Sequence, residues 1–152
     1  MNYVLFSVWF MVIHAAAYTG AGVIALAISK DIYKGKARIM DYLRDMNDPE
    51  DNAYVTKRFF PAQLLRGLLM SIVLYPVLEH LGSLSPVLRI LFFFGLTFIY
   101  THIGSAAPCP DNIEGYVYMK KRYENRALFW RFQLEMTMYS LLVSFASGLL
   151  LF

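Results

Sequence analysis

Arg66, His102 and Glu135 are ionisable side chains that lie within otherwise apolar stretches of this 152-residue chain, near the same predicted end of their spans. Placing such a group inside a bilayer costs roughly 2.5–3.5 kcal/mol on insertion scales, so its position indicates a function or a specific partner. A guanidinium binds anions, a carboxylate pairs with cations, and an imidazole exchanges protons near neutral pH. Together with Gln63, these three residues are the candidate ligand-binding site.

The composition predicts a membrane protein. Hydrophobic residues make up 58% of the chain and charged residues only 16%, whereas soluble domains average about 25% charged residues. The single cysteine, Cys109, excludes an internal disulfide and a CxxC pair. No motif identifies a cofactor or a metal site, and nucleic acid is not an expected partner. We expect one all-α integral membrane domain over residues 1–152.

Four apolar stretches are each long enough to cross a bilayer, which takes about 20 helical residues. They predict a four-helix transmembrane bundle with spans at about 3–29, 59–81, 87–107 and 129–152. Ser85-Pro86 and Asp48-Pro49 each place a capping residue before a proline, which is typical of a helix start. Pro76 lies inside the second span and predicts a kink there.

Within these spans, the three ionisable residues are predicted to share one depth. Arg66 lies seven residues inside the second span, Glu135 six residues inside the fourth, and His102 five residues from the end of the third. At 1.5 Å per residue, each lies roughly 8–11 Å from the same end of the bundle. One interpretation is a polar pocket open to the cytoplasm; the alternative is that Arg66 and Glu135 pair only to fix helix packing.

Basic residues predict the orientation of the spans. Twelve of the 14 Lys and Arg residues lie in segments 30–58 and 108–131, and cytoplasmic loops carry such an excess. Both segments should therefore be cytoplasmic, with the N- and C-termini outside the cytoplasm. The triplet Lys120, Lys121 and Arg122 would then lie against lipid headgroups.

Both cytoplasmic segments are also expected to contain helix. In the first, apolar residues recur at nearly helical spacing and predict a short amphipathic helix on the membrane surface; they are Ile32, Ile39, Leu43 and Met46. In the second, Asp111 and Glu114 have the spacing of a capping box, which predicts a fourth helix running from there to the C-terminus.

Two further features are expected to be structural. Glu79 and Arg89 flank the short turn between the second and third spans and should form an ion pair. His14, midway along the first span, is expected to make a hydrogen bond across a helix interface; haem ligation is the alternative.

The layout resembles that of the MAPEG family of glutathione-dependent membrane enzymes in length, four spans, outside termini and a long basic first loop. The Arg/Asn/Glu run of that family's second helix is not found around Arg66, where the sequence reads Gln63-Leu64-Leu65-Arg66-Gly67-Leu68. The resemblance implies an enzyme acting on a lipophilic substrate. The preferred hypothesis is a module whose cytoplasm-side polar pocket binds an anionic or amphiphilic ligand or a partner helix; the alternatives are such an enzyme and an oligomeric transporter or channel. The expected partners are membrane lipid and either a second copy of the chain or another membrane subunit.

Overall fold

A computed structural model describes residues 2–152. This part of the chain is all-helical, with 77% of the chain in helix and no strand among the described residues. The α-helices are α1 (Tyr3–Ile28), α2 (Lys30–Tyr33), α3 (Pro49–Leu74), α4 (Leu78–Ser83), α5 (Pro86–Phe94), α6 (Ile113–Tyr118) and α7 (Arg126–Leu150). A π-helical segment, Gly95–Ile103, continues α5, and 3-10 turns occupy Tyr75–Val77 and Lys121–Tyr123.

Two predicted helix starts are confirmed. The Asp48 carboxylate accepts hydrogen bonds from the backbone N–H groups of Glu50 and Asp51, both at 3.0 Å. Ser85 Oγ accepts one from the N–H of Leu88, and a proline follows each cap. At Pro76, where the sequence predicts a kink, a 3-10 turn interrupts the α-helix between α3 and α4.

Three helical segments are long and apolar enough to cross a membrane: Tyr3–Ile28, Pro49–Ser83 and Pro86–Ile103. This is compatible with a multi-pass membrane protein. Helix α7 is not among the three, and along its length it carries Gln133, Glu135 and several serines.

The long helices run up and down in an antiparallel array. Helix α1 packs against both α3 and α7, and α7 packs against α5. At one end, the ring of Phe6 lies 6.2 Å from that of Phe152, and the hydroxyls of Ser7 and Tyr75 are 2.7 Å apart. The ends of α1 and α7 that carry these residues therefore lie beside the turn between α4 and α5. A buried apolar cluster joins the helices here: Phe6, Phe10, Leu74, Leu78, Leu81, Phe93 and Leu151.

The predicted amphipathic helix of the first loop is reduced to the single turn α2. The helix ends where Lys34 becomes extended, and Gly35 follows with a φ of 89°. Arg38 stabilises the following turns by donating to the carbonyl oxygens of Gly35, Asp41 and Leu43. The apolar residues still turn inward. Ile32 and Met40 are buried against Tyr123 of the second loop and Leu128 of α7. These contacts between distant segments stabilise the turns in place of the predicted helix.

The predicted continuous fourth helix is also wrong. Residues 113–150 form α6, a 3-10 turn and α7 as separate pieces. The cap of α6 is Asn112 rather than Asp111; its Oδ1 accepts from the N–H groups of Cys109 and Gly115 at 3.0 and 2.8 Å. Asp111 is instead buried in the protein interior. A Cβ on Gly115 would lie 1.6 Å from the Cys109 carbonyl oxygen, so this loop closes only around a glycine.

Gly67 sets the distance between α1 and α3. A Cβ built there would lie 2.9 Å from the Cα of Met11 and 3.3 Å from the side chain of His14. We expect Gly67→Ala to lower the free energy of unfolding by about 1–3 kcal/mol, because two backbones must separate to admit the methyl group. Unfolding in mixed detergent micelles, followed by circular dichroism, measures this loss.

Gly22→Ala is the matched control, because a Cβ at Gly22 meets no atom within 4 Å. It should leave stability unchanged or slightly higher, since alanine favours helix over glycine. Equal stability of the two variants would contradict the close approach at Gly67.

Candidate functional site

The four predicted ligand-binding residues each find a different partner. No ion pair joins any two of Arg66, His102 and Glu135 in the described part of the chain. Gln63 contacts His14, Arg66 lies over Tyr18, Glu135 binds Tyr33, and His102 binds Asp111. The residues therefore belong to three separate polar groups, one around His14 with Gln63 and Arg66, one around Glu135, and one around His102.

The first polar group is centred on His14, whose side chain is fully buried between α1, α3 and α7. Its Nε2 lies 3.3 Å from Gln63 Oε1, and its Nδ1 lies 2.8 Å from the Tyr139 hydroxyl. With the amide oxygen accepting from Nε2–H, Nδ1 is left to accept from the hydroxyl. Both ring nitrogens are thus satisfied by side chains from neighbouring helices, as expected for a histidine at a helix interface and not for a haem ligand.

Tyr18, one helical turn after His14 in α1, links this group to Arg66. The guanidinium carbon of Arg66 lies 5.4 Å from the centre of the Tyr18 ring, within the range of a cation–π contact. The Tyr18 ring meets that of Tyr139 edge to face at 5.3 Å. Arg66 is therefore held by an aromatic face and not by the carboxylate that the sequence suggested.

Glu135 belongs to the second polar group and lies in the wall of a cavity between α1 and α3. Its Oε2 accepts a hydrogen bond from the Tyr33 hydroxyl at 3.0 Å. The cavity is an open cleft with a volume of about 460 Å³. Its wall consists of Tyr18, Thr19, Gly22, Val23, Leu26, Tyr33, Met46, Val55, Thr56, Phe59, Phe60 and Glu135. The cavity is thus mainly apolar, with a carboxylate and hydroxyls in its wall.

The third polar group is a buried His102–Asp111–Gln133 cluster. His102 Nε2 lies 2.8 Å from Asp111 Oδ2, and the two side chains are 6% and 0% exposed. Gln133 Nε2 donates to the backbone oxygen of Asp111 at 2.8 Å and to Oδ2 at 3.3 Å. Asp111 Oδ1 has no hydrogen-bond partner among the described residues. This cluster ties the π-helical segment and the second loop to α7.

Cys109 lies beside this cluster in the second loop. Burial, together with the nearby carboxylates of Asp111 and Glu135, raises the pKa of its thiol to about 12. At neutral pH the sulfur is therefore a protonated thiol and a poor nucleophile.

The predicted headgroup residues Lys120, Lys121 and Arg122 are all exposed, near the end of the bundle where α7 begins. Arg122 donates to the Tyr123 hydroxyl at 2.8 Å and pairs with Asp41 of the first loop at 3.3 Å. The two lysines are in no ion pair in the described structure and are available to solvent or headgroups.

The predicted Glu79–Arg89 pair does not form. Arg89 is largely buried and donates to the backbone oxygen of Phe152 at 3.2 Å, with its guanidinium 5.2 Å from the Phe152 ring. Glu79 lies in the wall of a separate small cavity at this end. The acceptor is therefore a backbone oxygen two residues beyond the end of α7 and not the Glu79 carboxylate.

Sequence reasoning missed Asp111, Tyr18, Tyr33 and Tyr139 as site residues. The sequence predicts Asp111 as a helix cap, and it does not single out the tyrosines, because their hydroxyls act only through the partners that tertiary packing brings to them. No group of three or more His, Cys, Asp or Glu residues within residues 2–152 is placed to hold a metal ion.

No protein-family model, curated protein or solved structure matches this chain. Its function is therefore inferred from its own geometry.

Removing the Asp111 carboxylate tests the buried cluster. We expect Asp111→Ala to lower the free energy of unfolding by about 3 kcal/mol, because it leaves the buried His102 imidazole without its acceptor and removes one of the two hydrogen bonds of Gln133. Asp31→Ala, which breaks the exposed Arg131–Asp31 pair, should cost less than about 1 kcal/mol. Unfolding curves in detergent micelles compare the two variants. Equal losses of unfolding free energy would contradict a stabilising role for the buried cluster.

Proposed function

We propose that this chain crosses the membrane four times, with both termini and the α4–α5 turn outside the cytoplasm. Helix α7 has 25 residues and is about 38 Å long, more than the roughly 30 Å of a bilayer core. Its polar residues Tyr139, Ser140, Ser144 and Ser147 are buried, so they face α1 and α5 and would not meet lipid. The basic loops lie together at the opposite end from the turn, which supports the orientation.

Single cysteines in a Cys109→Ser background test this orientation. Residues Lys36, Ser83 and Lys121 are exposed, one in each connecting segment. In intact cells, a membrane-impermeant maleimide should label Ser83→Cys and should label Lys36→Cys and Lys121→Cys only after permeabilisation. Labelling of either basic loop in intact cells would contradict the proposed topology.

We further propose that the protein binds a single-chain amphiphile in the cavity between α1 and α3. The observation that carries this proposal is an apolar cavity of about 460 Å³ with the Glu135 carboxylate and the Tyr33 hydroxyl in its wall. Ligand pockets commonly occupy about 300–1,000 Å³ and combine an apolar lining with a few polar groups. An alkyl chain would lie against residues such as Val23, Leu26 and Phe60, and the polar end would reach Glu135.

The position of the cavity supports a ligand that enters from the cytoplasmic leaflet. Met46 of the first loop and Val55 near the start of α3 belong to its wall, so the cavity lies at the end of the bundle that carries the basic loops. Under the proposed topology this is the cytoplasmic side. The two alternative hypotheses, a lipophilic-substrate enzyme and an oligomeric transporter, stay predictions.

Photo-crosslinking tests the proposed binding. A long-chain alcohol carrying a diazirine in its alkyl chain, incorporated with the protein into nanodiscs, should label peptides from residues 18–26 and 55–60. We expect Gly22→Leu to reduce this labelling at least about fivefold, because the new side chain occupies the cavity; a loss of that size corresponds to about 1 kcal/mol of binding.

Gly95→Leu is the control, since a Cβ at Gly95, like one at Gly22, meets no atom within 4 Å and the residue lies outside the cavity wall. It should label like the wild type. Equal labelling of both variants, or labelling spread evenly over the lipid-facing helices, would contradict a specific site.

A further inference from the structure

The polar groups in the cavity wall are mainly hydrogen-bond acceptors, with few free donors. The Tyr33 hydroxyl donates to Glu135, Thr19 donates to the Ala15 carbonyl at 2.7 Å, and Thr56 donates to Asn52 at 3.1 Å. Tyr18 is the only other hydroxyl in the wall. Apart from the Tyr18 hydroxyl, a polar group entering the cavity meets oxygen atoms whose hydrogens are already donated elsewhere, so the wall favours a ligand that itself donates hydrogen bonds.

Glu135 is also the only charged side chain in the wall. It forms no ion pair in the described structure, and its one hydrogen bond there leaves Oε1 without a protein partner. Oε1 is not sealed off by neighbouring atoms, since it is not among the buried unpartnered oxygens of residues 2–152. An unpaired carboxylate in an apolar setting is costly and favours a ligand that brings a positive charge.

Arg66 does not supply that charge. Its guanidinium lies over the Tyr18 ring and is not part of the cavity wall. The aromatic rings of Tyr18, Tyr33 and Phe59 belong to the wall, and such rings attract cations further through their faces.

We propose that the ligand is a long-chain primary amine, with its ammonium group on Glu135 Oε1 and its alkyl chain along the apolar wall. The proposal rests on the amphiphile-binding function proposed above and specifies its ligand class. It predicts discrimination against an alkyl carboxylate or phosphate, because either would place a second negative charge beside Glu135 with no cation in the wall.

Competition against the photoactivatable alcohol tests this specificity in nanodiscs at pH 7. The competitors are dodecylamine, dodecanol, dodecanoate and dodecyl phosphate, each expressed as its mole fraction in the bilayer so that partitioning does not contribute. We expect dodecylamine to displace the probe at a mole fraction about tenfold lower than dodecanol, the size expected for a hydrogen bond to a charged group. The two anions should be the weakest competitors.

Glu135→Gln should reduce the advantage of the amine over the alcohol to within about twofold, while Glu50→Gln, which removes an exposed carboxylate at the start of α3, should leave it unchanged. N-acetyl-dodecylamine keeps the chain and loses the charge, so on the wild-type protein it should compete like the alcohol. This last comparison does not depend on the folding of any variant.

The outcomes separate the two proposals. If the alcohol probe labels the cavity but the amine and its acetylated form compete equally, amine specificity is wrong and amphiphile binding stands. If dodecanoate competes best, the site selects anions and the proposal is overturned in the same way. If the alcohol probe does not label the cavity and none of the competitors changes the labelling pattern, both proposals fail.

Discussion

Most polar side chains in the interior of this bundle find their partners inside the protein, because the surrounding groups are apolar side chains and, under the proposed topology, lipid. An unsatisfied donor or acceptor in such a setting costs several kcal/mol. His14 is the clearest case, since Gln63 of α3 and Tyr139 of α7 satisfy one ring nitrogen each. These two bonds join three helices at one point, and the close approach of α1 and α3 at Gly67 brings His14 within reach of Gln63.

Helix α7 carries many of the polar side chains that need partners inside the protein. Unlike the other long helical segments, it has no stretch apolar enough to count as a membrane span by composition, and the structure buries several of its hydroxyls against its neighbours. Ser144 donates to the carbonyl oxygens of its own helix, while Ser140 and Ser147 carry buried hydroxyls that have no partner in the described chain. The same helix supplies Tyr139 to His14, Glu135 to the cavity and Gln133 to Asp111. A helix that looks marginal as a membrane span by composition therefore provides polar contacts to each of the three groups.

The two basic loops contribute structure as well as charge. Ile32 and Met40 of the first loop pack on Tyr123 of the second, and Asp31 and Asp41 pair with Arg131 and Arg122. This packing fixes α2, and α2 carries the Tyr33 hydroxyl that binds Glu135. The electrostatic character of the cavity thus depends on contacts between loops that are distant in the chain. It is a cavity with one carboxylate and no basic side chain in its wall, although basic residues are abundant at this end of the molecule.

Local features of the sequence are enough to predict the helical class, the helix starts at Asp48-Pro49 and Ser85-Pro86, and the presence of Arg66, His102 and Glu135 inside helices. These features depend on local chemistry: capping, the fixed φ of proline and the length of apolar runs. The partner of each polar residue depends on packing between helices, because counting residues along a helix gives the depth of a side chain but not the direction in which it points. Packing also decides that segments 34–48 and 104–125 fold mainly as turns, since contacts with Tyr123, Leu128 and His102 stabilise these conformations over the helices that their local patterns predict.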